Sequence, residues 1–125
     1  MKHTFWGEMT FHVGWKVDSN ILFYGKEYGI TLKARAYRKE DGITAAQDKA
    51  LSDFAIQKDA VLKIAEVMLD KFRNGNGAAY FIPRTLLFER DGSYALLCDD
   101  SMDVDNGVAV CLAPKQEVLS QDEYL

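Results

Sequence analysis

An α+β fold follows from three features of the sequence. Apolar residues alternate strictly near the N-terminus, a long central stretch repeats them at helical spacing, and an Asp-Gly pair divides two apolar runs further on. Together these predict an antiparallel sheet formed by an N-terminal meander and C-terminal hairpins, with a central helical pair or one broken helix packed on one face. At 125 residues, with two prolines and neither repeat nor linker composition, the chain is expected to form one domain around one core.

The first strand is expected over residues 8–17, where Met9, Phe11, Val13, Trp15 and Val17 alternate with Glu8, Thr10, His12, Gly14 and Lys16. Asp18, Ser19 and Asn20 carry side chains that hydrogen-bond nearby backbone in place of a ladder partner, so a turn is expected there. A short strand at 21–24 follows, and alternation resumes with Ile30, Leu32, Ala34 and Ala36 on one face.

The period then changes. Thr44 followed by Gln47 fits a capping box, in which the Thr hydroxyl accepts from the Gln47 amide and the Gln side chain accepts from the Thr44 amide. Ala50, Leu51 and Phe54 begin a buried stripe that Val61, Ile64, Ala65, Met68, Leu69 and Phe72 continue. Lys58 and Asp59 interrupt it, predicting a break at 57–59 with Asp59 capping a second helix; one helix that changes its buried face is the alternative. Asn74 and Gly75 end the helical region because both tolerate the left-handed conformation of a C-terminal cap.

After a loop reaching Pro83, the Asp91-Gly92 turn predicts a tight hairpin with Phe88 opposite Ala95 and Leu86 opposite Leu97. Extending that register places Val108, Val110 and Leu112 on the same core face. The other face then carries Leu87, Tyr94, Leu96, Cys98, Ala109 and Cys111. This is too apolar for a wetted surface, so the N-terminal meander or a second copy of the chain is expected to cover it. Cys98 and Cys111 stand four strand positions apart in this register, roughly 13 Å, and should be unbridged.

A net charge of −4 argues against a nucleic-acid partner, which clustered Lys and Arg would have to hold, and suits a basic protein instead. No apolar run has the length of a membrane span or a signal peptide, so a soluble cytoplasmic protein without membrane contact is expected.

The chemistry-bearing stretch is CDDSMDVDNGVAV, with Asp99, Asp100, Asp103 and Asp105. It fails as an EF-hand: counted from Asp99, the sixth position is Val104 and the twelfth Val110; counted from Asp103, they are Val108 and Pro114. A looser divalent-ion site or a hydrolase using these acids is an alternative. The principal reading is a solvated loop with its turn at Asn106-Gly107, whose acids meet a partner. His3 and His12 are too few for a metal site and are expected at the surface. The cysteines have neither CxxC spacing nor a nearby His. The glycines of NGNG follow a helix rather than joining strand to helix, so no phosphate loop is expected. No catalytic residue, metal ligand or cofactor is assigned.

With GITAAQ before the helical region and DVDNGVAV before a late strand, the chain resembles a family of small uncharacterised bacterial proteins, some encoded near polymorphic toxins and regarded as immunity-protein candidates. Ile43, Thr44, Gln47, Phe72, Asp105, Gly107 and Val110 carry the likeness over most of the chain; Asp105 stands where that family has Glu. The resemblance implies a non-enzymatic binding domain, in which Asp99, Asp100, Asp103 and Asp105 would meet a basic protein such as a toxin. A structural homo-oligomer joined through its apolar sheet face is the remaining alternative.

Overall fold

The computed structural model describes residues 1–125. Nine strands and three helices follow one another as β1 (Lys2–His3), β2 (Gly7–Glu8), β3 (Thr10–Phe11), β4 (Trp15–Phe23), β5 (Lys26–Ala34), α1 (Ala45–Phe72), α2 (Gly77–Tyr80), β6 (Phe81–Phe88), β7 (Tyr94–Asp100), β8 (Val108–Ala113), β9 (Glu117–Ser120) and α3 (Gln121–Tyr124). β3 to β9 form one seven-stranded sheet in sequence order, and β1 and β2 form a separate ribbon. α1 packs on one face of the large sheet, where Phe54, Leu62, Ala65 and Leu69 meet Phe23, Leu32, Leu86, Leu96 and Val110 in one buried cluster. The fold is α+β, as the alternation and the helical period predict.

The sheet is mixed rather than wholly antiparallel. β5 and β6 pair in parallel, Leu32 opposite Leu86 and Ala34 opposite Phe88, while every other joint is antiparallel. Connectivity explains the difference. A helix of 28 residues returns the chain from the end of β5 to the start of β6, and such a crossover delivers the next strand in the same direction.

The N-terminal strand expected over 8–17 is instead folded into short pieces by a turn at 12–14, where Val13 has φ 54° and Gly14 φ 123°. Its three residues preserve parity, so Phe11 and Trp15 remain paired, but Val13, expected on their apolar face, is 70 % exposed at the turn. The turn expected at Asp18, Ser19 and Asn20 is absent. These residues sit mid-strand opposite Thr31, Ile30 and Gly29, because the nine-pair ladder satisfies the backbone that their side chains would otherwise have bonded. Pro83 lies within β6, and the pairing shifts between Pro83 and Thr85, as expected of a residue without an amide hydrogen.

The late hairpins also differ from expectation, each by one residue. Phe88 pairs with Tyr94, Leu86 with Leu96 and Leu96 with Val110. The cause is the turn: Glu89 N–H donates to Ser93 C=O and Gly92 N–H to Glu89 C=O, leaving a three-residue loop that ends on Gly92 at φ 89°. This turn chemistry suits a three-residue loop as well as Asp-Gly suits a two-residue one. The slip moves Tyr94, Leu96 and Cys98 onto the helix face and Ala95 and Leu97 onto the other. That other face is covered in part from within the chain, by its C-terminal segment rather than by the N-terminal meander: Leu119 and Tyr124 pack on Ala95, Ala109 and Cys111. Both cysteines are free, and they lie on opposite faces of the sheet rather than the same one.

The capping box is present. Thr44 Oγ1 accepts from Gln47 N–H at 3.0 Å, and Gln47 Oε1 accepts from Thr44 N–H at 2.9 Å. The helix start is also stapled to the sheet, since Thr44 Oγ1 donates to Arg90 C=O at 2.7 Å and buried Gln47 Nε2 donates to the carbonyls of Arg35 and Phe88. We expect Thr44→Ala to lower stability by about 1–2 kcal/mol, through loss of the cap and of the Arg90 bond; the denaturation midpoint is the measurement. α1 is interrupted where the break at 57–59 is expected: Gln57 has φ −108° and ψ 18°, which are not helical, and two helical segments meet there at a kink. Its buried face after the bend is Leu62, Ala65 and Leu69, with Ile64 and Phe72 substantially exposed. Lys58 occupies the interrupted stripe, its ammonium reaching out to Asn20 C=O at 3.5 Å. The helix ends as predicted, with Asn74 and Gly75 left-handed and Gly75 N–H donating to Asp70 C=O.

Candidate functional site

The four sequence-selected carboxylates gather at one end of the sheet but have different environments. β7 alternates faces, and because Leu96 and Cys98 point toward α1, Asp100 does as well. It is 2 % exposed. Arg73, at the end of α1, grips it with two bonds, Nη1 to Oδ1 at 3.0 Å and Nη2 to Oδ2 at 2.6 Å, and Met102 N–H donates to Oδ1 at 3.0 Å. The Arg73 guanidinium lies against the rings of Phe81, Tyr80 and Phe72, 4.8, 5.1 and 5.5 Å from their centroids. Burial opposes ionisation of Asp100. The bonds from Arg73 and Met102 and the adjacent positive charge outweigh it, holding the carboxyl below its ordinary value. Asp100 is thus an internal tie, which corrects the expectation that all four acids belong to a solvated loop.

Asp99 points the opposite way and pairs with Arg84 Nε at 2.7 Å on an exposed surface. Asp103 and Asp105 lie in the loop proper, between β7 and β8. The loop makes two successive turns, Asp103 N–H to Asp100 C=O and Gly107 N–H to Asp103 C=O, both 2.9 Å. Gly107 is needed at its end: φ is 67°, and a β-carbon would stand 2.5 Å from Cys98 C=O and 2.7 Å from Gln121 Nε2.

That close approach docks α3 against the loop. Gln121 N–H donates to Gly107 C=O at 3.2 Å, and Gln121 Nε2 donates to Cys98 and Val108 C=O at 2.9 and 3.3 Å. Glu123 thereby joins Asp103, Met102, Phe72 and Val118 around an open groove. Among the acids stand exposed apolar side chains: Met102 is 66 % exposed, Val104 81 % and Phe72 47 %. Met102 and Val104 were legible in DSMDVD as apolar residues inside an acidic loop. The contributions of Phe72, Arg73 and Glu123 depend on tertiary contacts and have no local signal.

In the groove Ser120 Oγ donates to Glu123 Oε1 at 3.2 Å and accepts from Glu123 N–H at 3.1 Å, the arrangement of a cap on α3. No three His, Cys, Asp or Glu side chains group to hold a metal ion. Burial, reinforced by Asp99, pushes the Cys98 thiol up; burial and Glu117 do the same for Cys111. His12 is exposed as expected, but His3 is not a surface residue. It is 3 % exposed, its Nδ1 accepting from Phe5 N–H at 3.1 Å and its Nε2 standing 2.9 Å from Asp48 Oδ1, off the line of a hydrogen bond. What the arrangement offers is an acid-rimmed apolar surface on a firmly held loop. No protein-family model, curated protein or solved structure matches the chain.

Proposed function

We propose that the protein is a non-enzymatic binding domain whose acidic end, formed by the 101–107 loop, α3 and Phe72, captures a basic protein partner. The immunity-type role implied by the sequence resemblance, occlusion of a toxin, is the form of this reading that we adopt. The observation carrying it is the exposure of Met102, which shares its groove with Asp103 and Glu123, and of Val104, which stands between Asp103 and Asp105 in the loop. An apolar centre with a charged rim is the usual anatomy of a protein interface, and the loop that bears it is anchored from below by Arg73 and Asp100. The acids accelerate encounter with a cationic surface, and the apolar side chains slow departure from it.

Co-purification from the native cell supplies the partner, and association kinetics with variants test the surface. Changing both Asp103 and Asp105 to Asn should slow association on the order of tenfold at low ionic strength, with the difference shrinking as salt is added. Thermal stability should stay the same or rise slightly. Unchanged kinetics would remove the loop from the interface. A Ca²⁺- or Mg²⁺-dependent rise in the wild-type Tm, abolished in this double variant, would assign the loop to an ion instead.

A further inference from the structure

A groove of about 530 Å³ opens at the other end of β7 from the acidic loop, between α1 and the turn that joins β8 to β9. Ala50, Asp53, Gln57, Val61 and Ile64, spaced by three and four residues, give it one side of the helix as a wall. Leu112, Ala113, Pro114 and Gln116 form the facing wall. The turn at 91–93 lines the end nearest the helix start, and Gly92 lets it lie there: φ is 89°, and a β-carbon would stand 2.9 Å from Ala46 C=O.

Tyr94 lines the groove from below. It is 8 % exposed, and its ring is fixed by stacking on Phe88 at 4.9 Å and by an edge contact with Phe54 at 6.2 Å. Its hydroxyl has no hydrogen-bond partner within the protein. Burial, then the charge of Asp53, push this hydroxyl up, so it stays protonated and can both donate and accept. A polar group this deeply placed costs stability unless something bonds to it.

The charged side chains of the lining are Asp53, Asp91 and Lys49. Lys49 Nζ takes one oxygen of Asp53, at 2.7 Å, and leaves the other uncommitted. Asp91 accepts from the Ser93 hydroxyl at 2.6 Å and from the Ser93 amide at 2.9 Å, bonds that hold its carboxyl below the usual range. No cation pairs with it. The groove therefore carries one negative charge in excess, beside walls that Val61, Ile64, Leu112 and Pro114 make apolar.

We propose that this groove binds a small organic monocation, a primary ammonium on a hydrocarbon body, with the nitrogen donating to Tyr94 Oη and Asp53 and the body lying along Val61, Ile64 and Leu112. An ammonium has donors for both oxygens, and its single charge matches the surplus. The volume is that of a small-molecule site, with apolar walls and a few polar groups to fix orientation. A carboxylate ligand would meet repulsion here, and a neutral one would leave the surplus charge unanswered. The groove lies away from the 101–107 loop, so it stands or falls separately from the binding role proposed above.

An NMR titration of the full chain with phenethylamine, a cation at neutral pH, and separately with phenethyl alcohol, a similar body without the charge, tests it. We expect saturable binding of the amine in low salt with Kd on the order of 1 mM. Shifted amides should concentrate at 91–94 and 112–116, and the alcohol should bind about tenfold more weakly. Tyr94→Phe should weaken the amine about fivefold with Tm level or raised, because the hydroxyl it removes has no protein partner to lose. Asp53→Asn should weaken the amine about tenfold and bring amine and alcohol closer together. Absence of saturation by the amine up to about 10 mM, equal affinity for the alcohol, or amine binding unchanged in both variants overturns the proposal. Loss of amine binding on changing Asp103 and Asp105 to Asn also overturns it, by placing the cation at the acidic loop.

Discussion

Leu96→Ala is expected to destabilise the protein by about 2–5 kcal/mol, the range for truncating a large apolar side chain inside a packed core. Leu96 is fully buried on the helix face of β7, between Leu86 on β6 and Val110 on β8. Its cavity would open beneath α1, where the sheet and helix cannot collapse together without disturbing Phe54, Phe88 and Tyr94, whose rings already contact one another. Leu97→Ala should cost much less, about 1 kcal/mol, because that side chain is only partly buried on the outer face. Chemical denaturation of the two variants therefore reads the hairpin register directly. A larger loss at Leu97 than at Leu96 would mean a two-residue turn and the alternative pairing.

Removing Arg73 should be comparably damaging. Arg73→Ala leaves the Asp100 carboxylate buried without its cation, a situation that typically costs about 3–5 kcal/mol. Asp100→Asn should cost less, because it removes the charge that needs compensation. Replacing the pair together with Arg73→Met and Asp100→Leu should recover much of the Arg73→Ala loss, because an apolar pair carries no desolvation penalty. Equal losses in the single and double variants would show that the ion pair is not coupled. The sign of the pH dependence follows from the depressed Asp100 value. Its contribution is fully present above the unfolded carboxyl pKa of about 3.9, and is lost as pH falls from there through the lower folded value. Arg73→Ala should therefore flatten the acid limb of the stability curve. Because Asp100 also fixes Met102 N–H, the same substitution should loosen the 101–107 loop and speed release of a bound partner.

Much of the fold was legible because its signals are local. The capping pair Thr44 and Gln47, the left-handed Asn74-Gly75 ending and the alternating face of Ile30, Leu32 and Ala34 each depend on residues a few positions apart, and each is where the sequence places it. The acidic loop was legible as a loop for the same reason, since Asp103 and Asn106-Gly107 carry their own turn chemistry. The expected register failed at a place where local rules are degenerate. DG suits two turn lengths, and changing one for the other exchanges the faces of Leu96 and Leu97 although every residue keeps its propensity.

The sequence by itself determined that a helical region, starting at a cap and interrupted near Gln57, separates early strands from late hairpins, and that the chain carries an acidic segment with apolar residues inside it. Only the tertiary structure decided that β5 and β6 run parallel, that Asp100 turns inward to Arg73 while Asp99 turns outward to Arg84, and that Glu123 and Phe72 stand beside Asp103. The physical reason is that backbone preference and amphipathic period are written in spacings of two to four residues. Which charge meets which is set instead by the pairing of strands whose residues lie tens of positions apart, and burial then fixes whether each charge becomes a tie or a surface.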